Sequence, residues 1–376
     1  MARKRRISID TPSLFDDIDN TNQPVDAPPA KSIIDDFSSS SPTFDALDET
    51  NDTDLIINID DDFVAESEPE ETPAQDEPEA TPVVEPIERI MFISFGSGSS
   101  GCCAYLGNEE EGIIIDAGID ANKVIKNMAS HGIPAEAVKG IILTHDHRDH
   151  VGYAYTLAKM LNRRRKTAEQ IHIHCSLHTL HGMLLRHNIS LRVKDYHAPF
   201  YLETPFKIGR FEITPFAVSH DGLNDNAYGF FIVAYGYSFA VATDTGCVTD
   251  GMRRYLSQAE CIMVESNYDA DMLATGRYPE YLKARIRGEK GHFDNADCAR
   301  FVADIYSPKI RNIFLCHLSE ENNTPEIARA ATLKALTDKG INVGDGNNTF
   351  ADREADVQLI VLPRREVSQL YIFRTN

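Results

Sequence analysis

Short apolar runs rich in β-branched and aromatic residues recur along the chain from residue 90 to residue 362. Runs of this length and composition are typical of strands that are buried in a sheet. The predicted strands are Ile90–Ile93, Cys103–Leu106, Gly112–Asp116, Gly140–Thr144, Ile171–His174, Phe211–Val218, Tyr228–Ala234, Phe239–Thr243, Ile262–Glu265, Asn312–Cys316 and Val357–Leu362. Several follow one another closely enough to pair as hairpins.

Longer segments between these runs carry apolar residues at helical spacing. The predicted helices are Ala121–His131, Val151–Leu161, Pro279–Arg287, Ala296–Tyr306 and Pro325–Thr337. The small residues from Gly96 to Gly101 predict a loop after the first strand. Strands and helices in this mixed order predict an α/β body with layers of helices on mixed sheets.

The first 88 residues have a different composition from the rest of the chain. They hold 24 of the 58 acidic residues, 10 of the 18 prolines and no glycine, histidine or cysteine. Such a segment buries too little apolar surface to offset the entropy of ordering it. We therefore predict a disordered, acidic, Pro-rich tail over residues 1–88 and a folded domain over residues 89–376. The tail is a linker, or it binds a protein partner through short apolar islands such as Leu55–Ile57, or its charge keeps competing polyanions away from the site.

Two whole classes of protein are disfavoured by the sequence. It contains no apolar run of about 18 residues, so a membrane-spanning helix and a membrane partner are not expected. The basic residues Arg3–Arg6 are followed by Ile7–Asp10 instead of an apolar stretch, which disfavours a secretion signal. Seven cysteines spread over the body predict reduced thiols that pack in the core of a cytoplasmic protein.

The segment from Thr144 to His150 carries three histidines and two aspartates directly after an apolar strand. A strand end can aim His145 and His147 to one side, while Asp149 and His150 face a second position one turn later. Imidazole and carboxylate groups at this density are typical ligands of transition metals. A His-rich polar loop is the alternative, but it does not explain why a strand delivers the ligands to one place.

The spacing His145-x-His147-x-Asp149-His150 resembles the signature of the metallo-β-lactamase fold. That resemblance implies an αββα sandwich with two mixed sheets, over about residues 90–376. It also implies three further ligands downstream, and His220, Asp244 and His317 each stand at or after a strand-like run in the required order. By the same resemblance His145, His147 and His220 bind one metal ion, Asp149, His150 and His317 bind a second, and Asp244 bridges them.

Further motifs resemble the bacterial YycJ/WalJ branch of this fold. They are Phe95–Gly101, Val264–Asp269, Gly276–Pro279, Leu282–Ile286, Lys290–Asn295 and Cys316–Pro325. The resemblance implies a double-stranded DNA exonuclease of 5′ to 3′ direction, with DNA as its substrate. Two divalent ions, Zn or Mn with Fe possible, would hold a bridging hydroxide as nucleophile and clamp a phosphoryl group. One departure from the branch pattern is Cys102, where Asn usually follows the Ser-Ser-Gly.

The remaining candidate residues concern catalysis and substrate binding. Asp149 is placed to orient the nucleophile, and His292 can protonate the leaving oxygen or bind phosphate. The predicted substrate contacts are Ser99, Ser100, Asn267, Lys283, Arg285, His292 and Asn322. Alternatives stay open for several: the Ser/Gly segment can be a tight turn, the basic run a solvated helix face, and Asn322 with Asn323 a helix cap.

The same residues leave other functions open. A small-molecule hydrolase for a cyclic phosphodiester, lactone or thioester can use the same centre, as can an RNA-processing endonuclease. A non-enzymatic scaffold is a further alternative, but seven intact ligands argue against it. The histidines from His172 to His187 carry no required role, and we predict that they are structural.

Overall fold

The computed structural model describes residues 89–165, 169–346 and 354–374. The predicted disorder of residues 1–88, and any partner site in them, lie outside the described residues. The body of the predicted domain, residues 89–376, is therefore described apart from two short segments and its last two residues. No helix within the described residues is long and apolar enough to cross a membrane.

The strands form two mixed sheets. The first consists of β1 (Arg89–Gly98), β2 (Gly101–Gly107), β3 (Gly112–Ile115), β4 (Val138–Ile142), β5 (His172–Cys175), β6 (His197–Pro199) and β15 (Tyr371–Arg374). Their order across the sheet is β15-β1-β2-β3-β4-β5-β6. β15, β1, β2 and β3 pair antiparallel, whereas β3, β4, β5 and β6 pair parallel.

The second sheet holds the later strands. They are β7 (Phe206–Ile208), β8 (Phe211–Ala217), β9 (Tyr228–Ala234), β10 (Tyr237–Ala242), β11 (Cys261–Glu265), β12 (Asn312–Cys316), β13 (Val343–Gly344) and β14 (Val357–Val361). The order is β13-β14-β12-β11-β10-β9-β8-β7. β10, β11 and β12 run parallel to one another, so their carboxyl ends meet at one edge of the sheet.

Helices flank the sheets. They are α1 (Ala121–Ser130), α2 (Arg148–Val151), α3 (Ala154–Arg164), α4 (Leu177–Leu185), α5 (Asp250–Leu256), α6 (Ala270–Thr275), α7 (Glu280–Arg287), α8 (Asn295–Ile305) and α9 (Pro325–Thr337). Short 3-10 helices lie at Ala135–Ala137, Leu191–Tyr196 and Leu223–Asp225. α9 has a proline at its start and the side chain of Thr324 as its N-cap, which is a stable way to begin a helix.

The period-two alternation of side chains explains why both faces of the second sheet are buried. In β12, Phe314 packs in the cluster between the two sheets, while Ile313 and Leu315 pack in the cluster under α5, α8 and α9. The ring of Phe92 in β1 lies 4.9 Å from that of Phe314 and 6.1 Å from that of Phe239 in β10. The two sheets therefore face one another between helical layers, which confirms the predicted αββα sandwich.

The predicted elements agree with the structure in most places, but two predictions differ from it, and seven further elements were not predicted: α4, α5, α6, β6, β7, β13 and β15. The predicted loop from Gly96 to Gly101 is wrong, because β1 runs to Gly98 and β2 begins at Gly101, so only Ser99 and Ser100 form the turn. The predicted helix Val151–Leu161 is two helices, α2 and α3, which are interrupted at Gly152 and Tyr153. Tyr153 donates its N–H to the carbonyl of Ala117, 2.8 Å away, and this bond places α2 against the end of β3.

Candidate metal centre

Strand ends bring the predicted ligands to one place. β4 ends at Ile142 and is followed by His145, His147, Asp149 and His150, the last two in α2. Asp244 follows β10 by two residues, and His317 follows β12 directly. His220 comes from the segment after β8. The first sheet thus supplies four of the seven predicted ligands, and the second sheet supplies three.

His145, His147 and His220 form a first group. One ligand atom of each lies within 4.8 Å of the others, and all three residues are buried. The closest pair is His220 Nε2 and His147 Nδ1, 3.2 Å apart. Three neutral imidazoles at this spacing form a site that a transition metal can occupy.

Asp149, His150 and His317 form a second group around Asp244. His150 Nε2 lies 3.3 Å from Asp244 Oδ2 and 3.9 Å from Asp149 Oδ2, and His317 Nε2 lies 3.5 Å from Asp149 Oδ2. The other oxygen of Asp244 lies 3.8 Å from His220 Nε2. Asp244 is therefore the carboxylate between the two groups, the position that the resemblance gave it.

Several buried ligand atoms have no hydrogen-bond partner. They are His145 Nε2, His150 Nε2, His317 Nε2 and Asp244 Oδ2. A buried polar atom without a partner is costly, and such atoms are rare in folded proteins. Their convergence, together with the choice of imidazole and carboxylate donors, fits divalent metal ions.

The opposite ring nitrogens are held in place by other groups. His150 Nδ1 donates to Asp116 Oδ2 at 2.8 Å, and His220 Nδ1 donates to the Gly291 carbonyl at 2.8 Å. Asp116 also accepts from the Thr144 N–H at 2.9 Å and from its hydroxyl at 3.0 Å. Such partners fix the tautomer and the orientation of a metal-binding histidine.

Glu265, at the end of β11, holds two more histidines. Its Oε1 accepts from His292 Nδ1 at 2.8 Å and lies 2.9 Å from His317 Nδ1. Its Oε2 accepts from the Thr245 and Phe293 N–H groups at 2.8 and 3.1 Å. Neither Glu265 nor Asp116 was among the residues predicted for the site. Both stand at the end of an apolar strand, which is the signal that identified the other ligands.

The backbone at the centre is tightly constrained. His317 has a left-handed φ of 52°, which is uncommon for a residue with a side chain. Asn267 Nδ2 donates to the His317 carbonyl at 2.7 Å, and the His317 N–H donates to Ser97 Oγ at 3.0 Å. On the other side, a Cβ at Gly118 would overlap the Asp149 carbonyl oxygen. Only glycine allows this approach.

The protonation of the histidines follows from their surroundings. Burial and the neighbouring imidazoles lower the pKa of His145, and burial and His220 lower that of His147 to about 3. These two rings are therefore neutral and free to bind a cation. Burial opposes protonation of His150 and His317, yet neighbouring groups raise both pKa values well above the usual range: Cys102 and then Asp244 for His150, and Asp244 and then Cys102 for His317. The carboxylates near these two histidines thus favour positive charge at the centre.

Arg285 and His292 line a small cleft beside the first group. The Arg285 guanidinium is half exposed and donates to Asp221 Oδ2 at 2.9 and 2.7 Å, while Asp221 Oδ1 lies 3.3 Å from His147 Nε2. Burial opposes protonation of His292, but Glu265 raises its pKa above the ordinary histidine value. An imidazole held by Glu265 and a guanidinium therefore face the same opening.

The other predicted substrate contacts are placed differently. Ser99 and Ser100 are accessible in the β1–β2 turn, whereas Asn267 is buried and bonded to His317. Lys283 is a correction: it is buried, and its Nζ donates to the Ala274 carbonyl and pairs with Glu280. Its charge is satisfied inside the α6–α7 packing and does not face a substrate.

Asn322 and Asn323 are also buried. Asn323 Nδ2 donates to the carbonyls of Ser266 and Asn267, and the Asn322 carbonyl accepts from the Asp269 N–H at 2.8 Å. Neither residue caps α9, because Thr324 does so. The alternative of a helix cap is therefore excluded for both residues, and Asn322 lies beneath the surface.

Comparisons with known proteins agree with this geometry. Residues 112–317 match a family model described as a beta-lactamase superfamily domain. The chain is 32% identical over 254 residues to exodeoxyribonuclease YycJ of Bacillus anthracis, covering 68% of this chain and 92% of the relative. It is 29% identical over 248 residues to exodeoxyribonuclease WalJ of Streptococcus pneumoniae serotype 2 strain D39, covering 66% and 88%. The crystal structure of the metallo-beta-lactamase fold protein YhfI from Bacillus subtilis covers 76% of this chain and all of its own, with a TM-score of 0.53 at 13% identity.

Proposed function

The chain belongs to the beta-lactamase superfamily of metal-dependent hydrolases, and from this premise we propose that it is an exodeoxyribonuclease that degrades double-stranded DNA from the 5′ end. The observation that carries the proposal is the pair of buried ligand groups joined by Asp244, beside a cleft that contains a guanidinium and an imidazole. The names of the two relatives support DNA as the substrate. The proposal places the hydrolase in residues 89–376.

The proposed metal ligands are those named from the sequence. His145, His147 and His220 would hold one ion, Asp149, His150 and His317 would hold the other, and Asp244, which lies between the two groups, would serve both. When bound, two divalent ions supply Lewis acidity to a phosphoryl oxygen and make water a nucleophile at neutral pH. Zn and Mn are the ions we propose, since this donor set suits both.

The proposed catalytic groups are Asp149 and His292. Asp149 is buried beside both groups of ligands, and its second role is to orient the attacking water and accept its proton. His292 donates a proton from Nε2 to the leaving oxygen, because its Nδ1 is engaged by Glu265. Glu265 keeps this imidazole protonated and correctly turned.

Substrate binding is proposed at the accessible groups near the centre. Arg285 offers a planar guanidinium to a backbone phosphate, with Asp221 fixing its orientation. Ser99 and Ser100 offer hydroxyl and backbone donors from the β1–β2 turn. Asn267 acts indirectly, by holding the carbonyl of His317.

The test is degradation of duplex DNA that is labelled at one end and carries either a 5′-phosphate or a 5′-hydroxyl. We expect release of nucleotides that depends on added Zn or Mn and starts from the 5′ end. Asp149→Ala and His150→Ala abolish this release, whereas His181→Ala, a matched change on the exposed face of α4, leaves it unchanged. Metal-loaded protein that cleaves a small phosphodiester or structured RNA but no duplex would overturn the proposal of DNA as substrate.

A further inference from the structure

Cys102 differs from the other cysteines in its surroundings. All seven lie within the described residues, and six are buried. Of those six, Cys103, Cys175, Cys261, Cys298 and Cys316 pack in the hydrophobic clusters of the core, and Cys102 packs in neither of them. The next residue, Cys103, points to the opposite face of β2. The expectation that all the cysteines are core packing therefore does not hold at Cys102.

The Cys102 side chain lies beside the second group of ligands. Its Sγ and one ring nitrogen each of His150 and His317 all lie within 4.8 Å of one another. The Cys102 thiol also donates to the Gly98 carbonyl, at 3.6 Å. Donors around a single zinc ion sit about 2.0 to 2.3 Å from it, so atoms at this mutual spacing can share an ion.

Two unpartnered atoms point to a ligand in the same place. His150 Nε2 and His317 Nε2 are buried and have no hydrogen-bond partner. A thiol used only for packing would be expected among apolar side chains, yet both of these imidazoles lie within 4.8 Å of Cys102 Sγ. The sulfur therefore adds a third donor to the two imidazole nitrogens at this position.

We propose that Cys102 is a thiolate ligand of the metal site that Asp149, His150 and His317 form. On binding, the thiol proton is released to solvent and the sulfur lone pair forms the bond to the metal, with no change of oxidation state. Thiolate is a soft donor, so the site prefers zinc or another thiophilic ion over manganese. The inference rests on the proposed metal centre, but not on DNA as the substrate.

Cobalt(II) reports this ligand directly. The full chain loaded with cobalt should show a thiolate-to-cobalt charge-transfer band in the near ultraviolet. Cys103→Ala, a matched removal of the neighbouring buried thiol, should keep the band, while Cys102→Ala should lose it and retain the visible bands of cobalt bound by histidine and carboxylate. The zinc affinity of Cys102→Ala should fall about 10-fold or more, and its manganese affinity should change less.

A cobalt-loaded wild-type protein without the band, or a band that survives in Cys102→Ala, overturns the inference. If Cys102→Ala does not fold, X-ray absorption of the zinc-loaded wild type decides: a sulfur neighbour at about 2.3 Å supports it, and nitrogen and oxygen neighbours alone overturn it. The measured metal content separates a failure of the proposed metal centre from a failure of Cys102 as its ligand. A protein that binds no metal would contradict the metal centre itself. Sulfur ligation without DNA cleavage refutes only the exonuclease.

Discussion

His292 Nδ1 lies 2.8 Å from Glu265 Oε1, and both side chains are buried at the edge of the metal centre. The same carboxylate oxygen lies 2.9 Å from His317 Nδ1. One acidic residue thus orients both a proposed metal ligand and the proposed proton donor. Removal of the Glu265 carboxylate should therefore weaken metal binding and also impair proton transfer, and the two effects can be measured separately.

Glu265→Gln should lower kcat by about 10- to 100-fold, as changes to the partners of metal-binding histidines commonly do. Glu265 raises the pKa of His292, so the variant should lose the protonated imidazole at a lower pH. The alkaline limb of the pH–rate profile should therefore shift downward. Glu260→Gln, just before the start of the same strand, is the control. An unshifted profile in Glu265→Gln would contradict His292 as the acid.

Asp116→Asn should weaken zinc binding by about 10- to 100-fold. Asp116 accepts from His150 Nδ1 and from Thr144, and asparagine keeps the shape and tolerates the left-handed φ of 57° at this position. Competition with a chromophoric chelator measures the affinity. Asp120→Asn, which changes only the N-cap of α1, should leave zinc affinity as it is; an equal loss in both variants would indicate a general effect on folding.

Removal of the metals should lower the melting temperature. The apo protein keeps four unpartnered ligand atoms and close carboxylates in its interior. At a free ion concentration about 100 times the dissociation constant, binding contributes about 2.7 kcal/mol to stability. Calorimetry before and after dialysis against a chelator checks this, and added zinc should restore the original value. A melting temperature that is the same in both states would count against the centre.

Phe92→Ala should cost about 3 to 5 kcal/mol in the free energy of unfolding, because its ring fills the space between the two sheets. Ile372→Ala, at a half-exposed position in the neighbouring β15, should cost about 0.5 kcal/mol or less. Urea unfolding of the metal-loaded protein measures both. Similar losses at the two positions would show that Phe92 does not join the sheets.

His174 should make the stability fall in acid. Burial, with the charges of His172 and His197, lowers its pKa from 6.5 to about 4. Between pH 6.5 and 4 the unfolded chain binds a proton at His174 that the folded chain does not bind. The free energy of unfolding therefore falls as the pH is lowered from 6.5 toward 4, by roughly 3 kcal/mol in total. Phenylalanine at this position can still stack on Phe206 but cannot bind a proton. Between pH 6.5 and 4, His174→Phe should therefore lose about 3 kcal/mol less stability than the wild type. Parallel curves for the two proteins would refute the assignment.

The sequence predicts an element well where its ends carry their own signals. Pro325–Thr337 is found within the bounds predicted, because proline starts the helix and threonine caps it. Asn312–Cys316 is also found as predicted, since its apolar run ends at polar residues. Val151–Leu161 was misplaced because helix-favouring residues stand on both sides of Gly152, and the break depends on a bond to Ala117 in another element.

The sequence predicted the site residues that belong to a motif. It did not predict those that reach the site only because the fold brings separate segments together. Seven ligands follow from the motifs and their order, and the structure brings all of them together. Glu265 stands at a strand end, but the sequence does not show which groups it contacts, because these depend on the strand register that pairs it with Cys316 in β12, next to His317. Lys283 was misjudged because its charge gives no sign of the carbonyl that binds it.

The division of ligands between the two sheets also sets an order of events in the cell. His317 follows His145 by 172 residues in the chain, so the first histidines leave the ribosome well before the last one is made. A complete centre cannot exist until the second sheet has formed against the first. Metal acquisition is therefore a late step of biogenesis, and a chain cut short before β12 would expose half a site to whichever ion reached it.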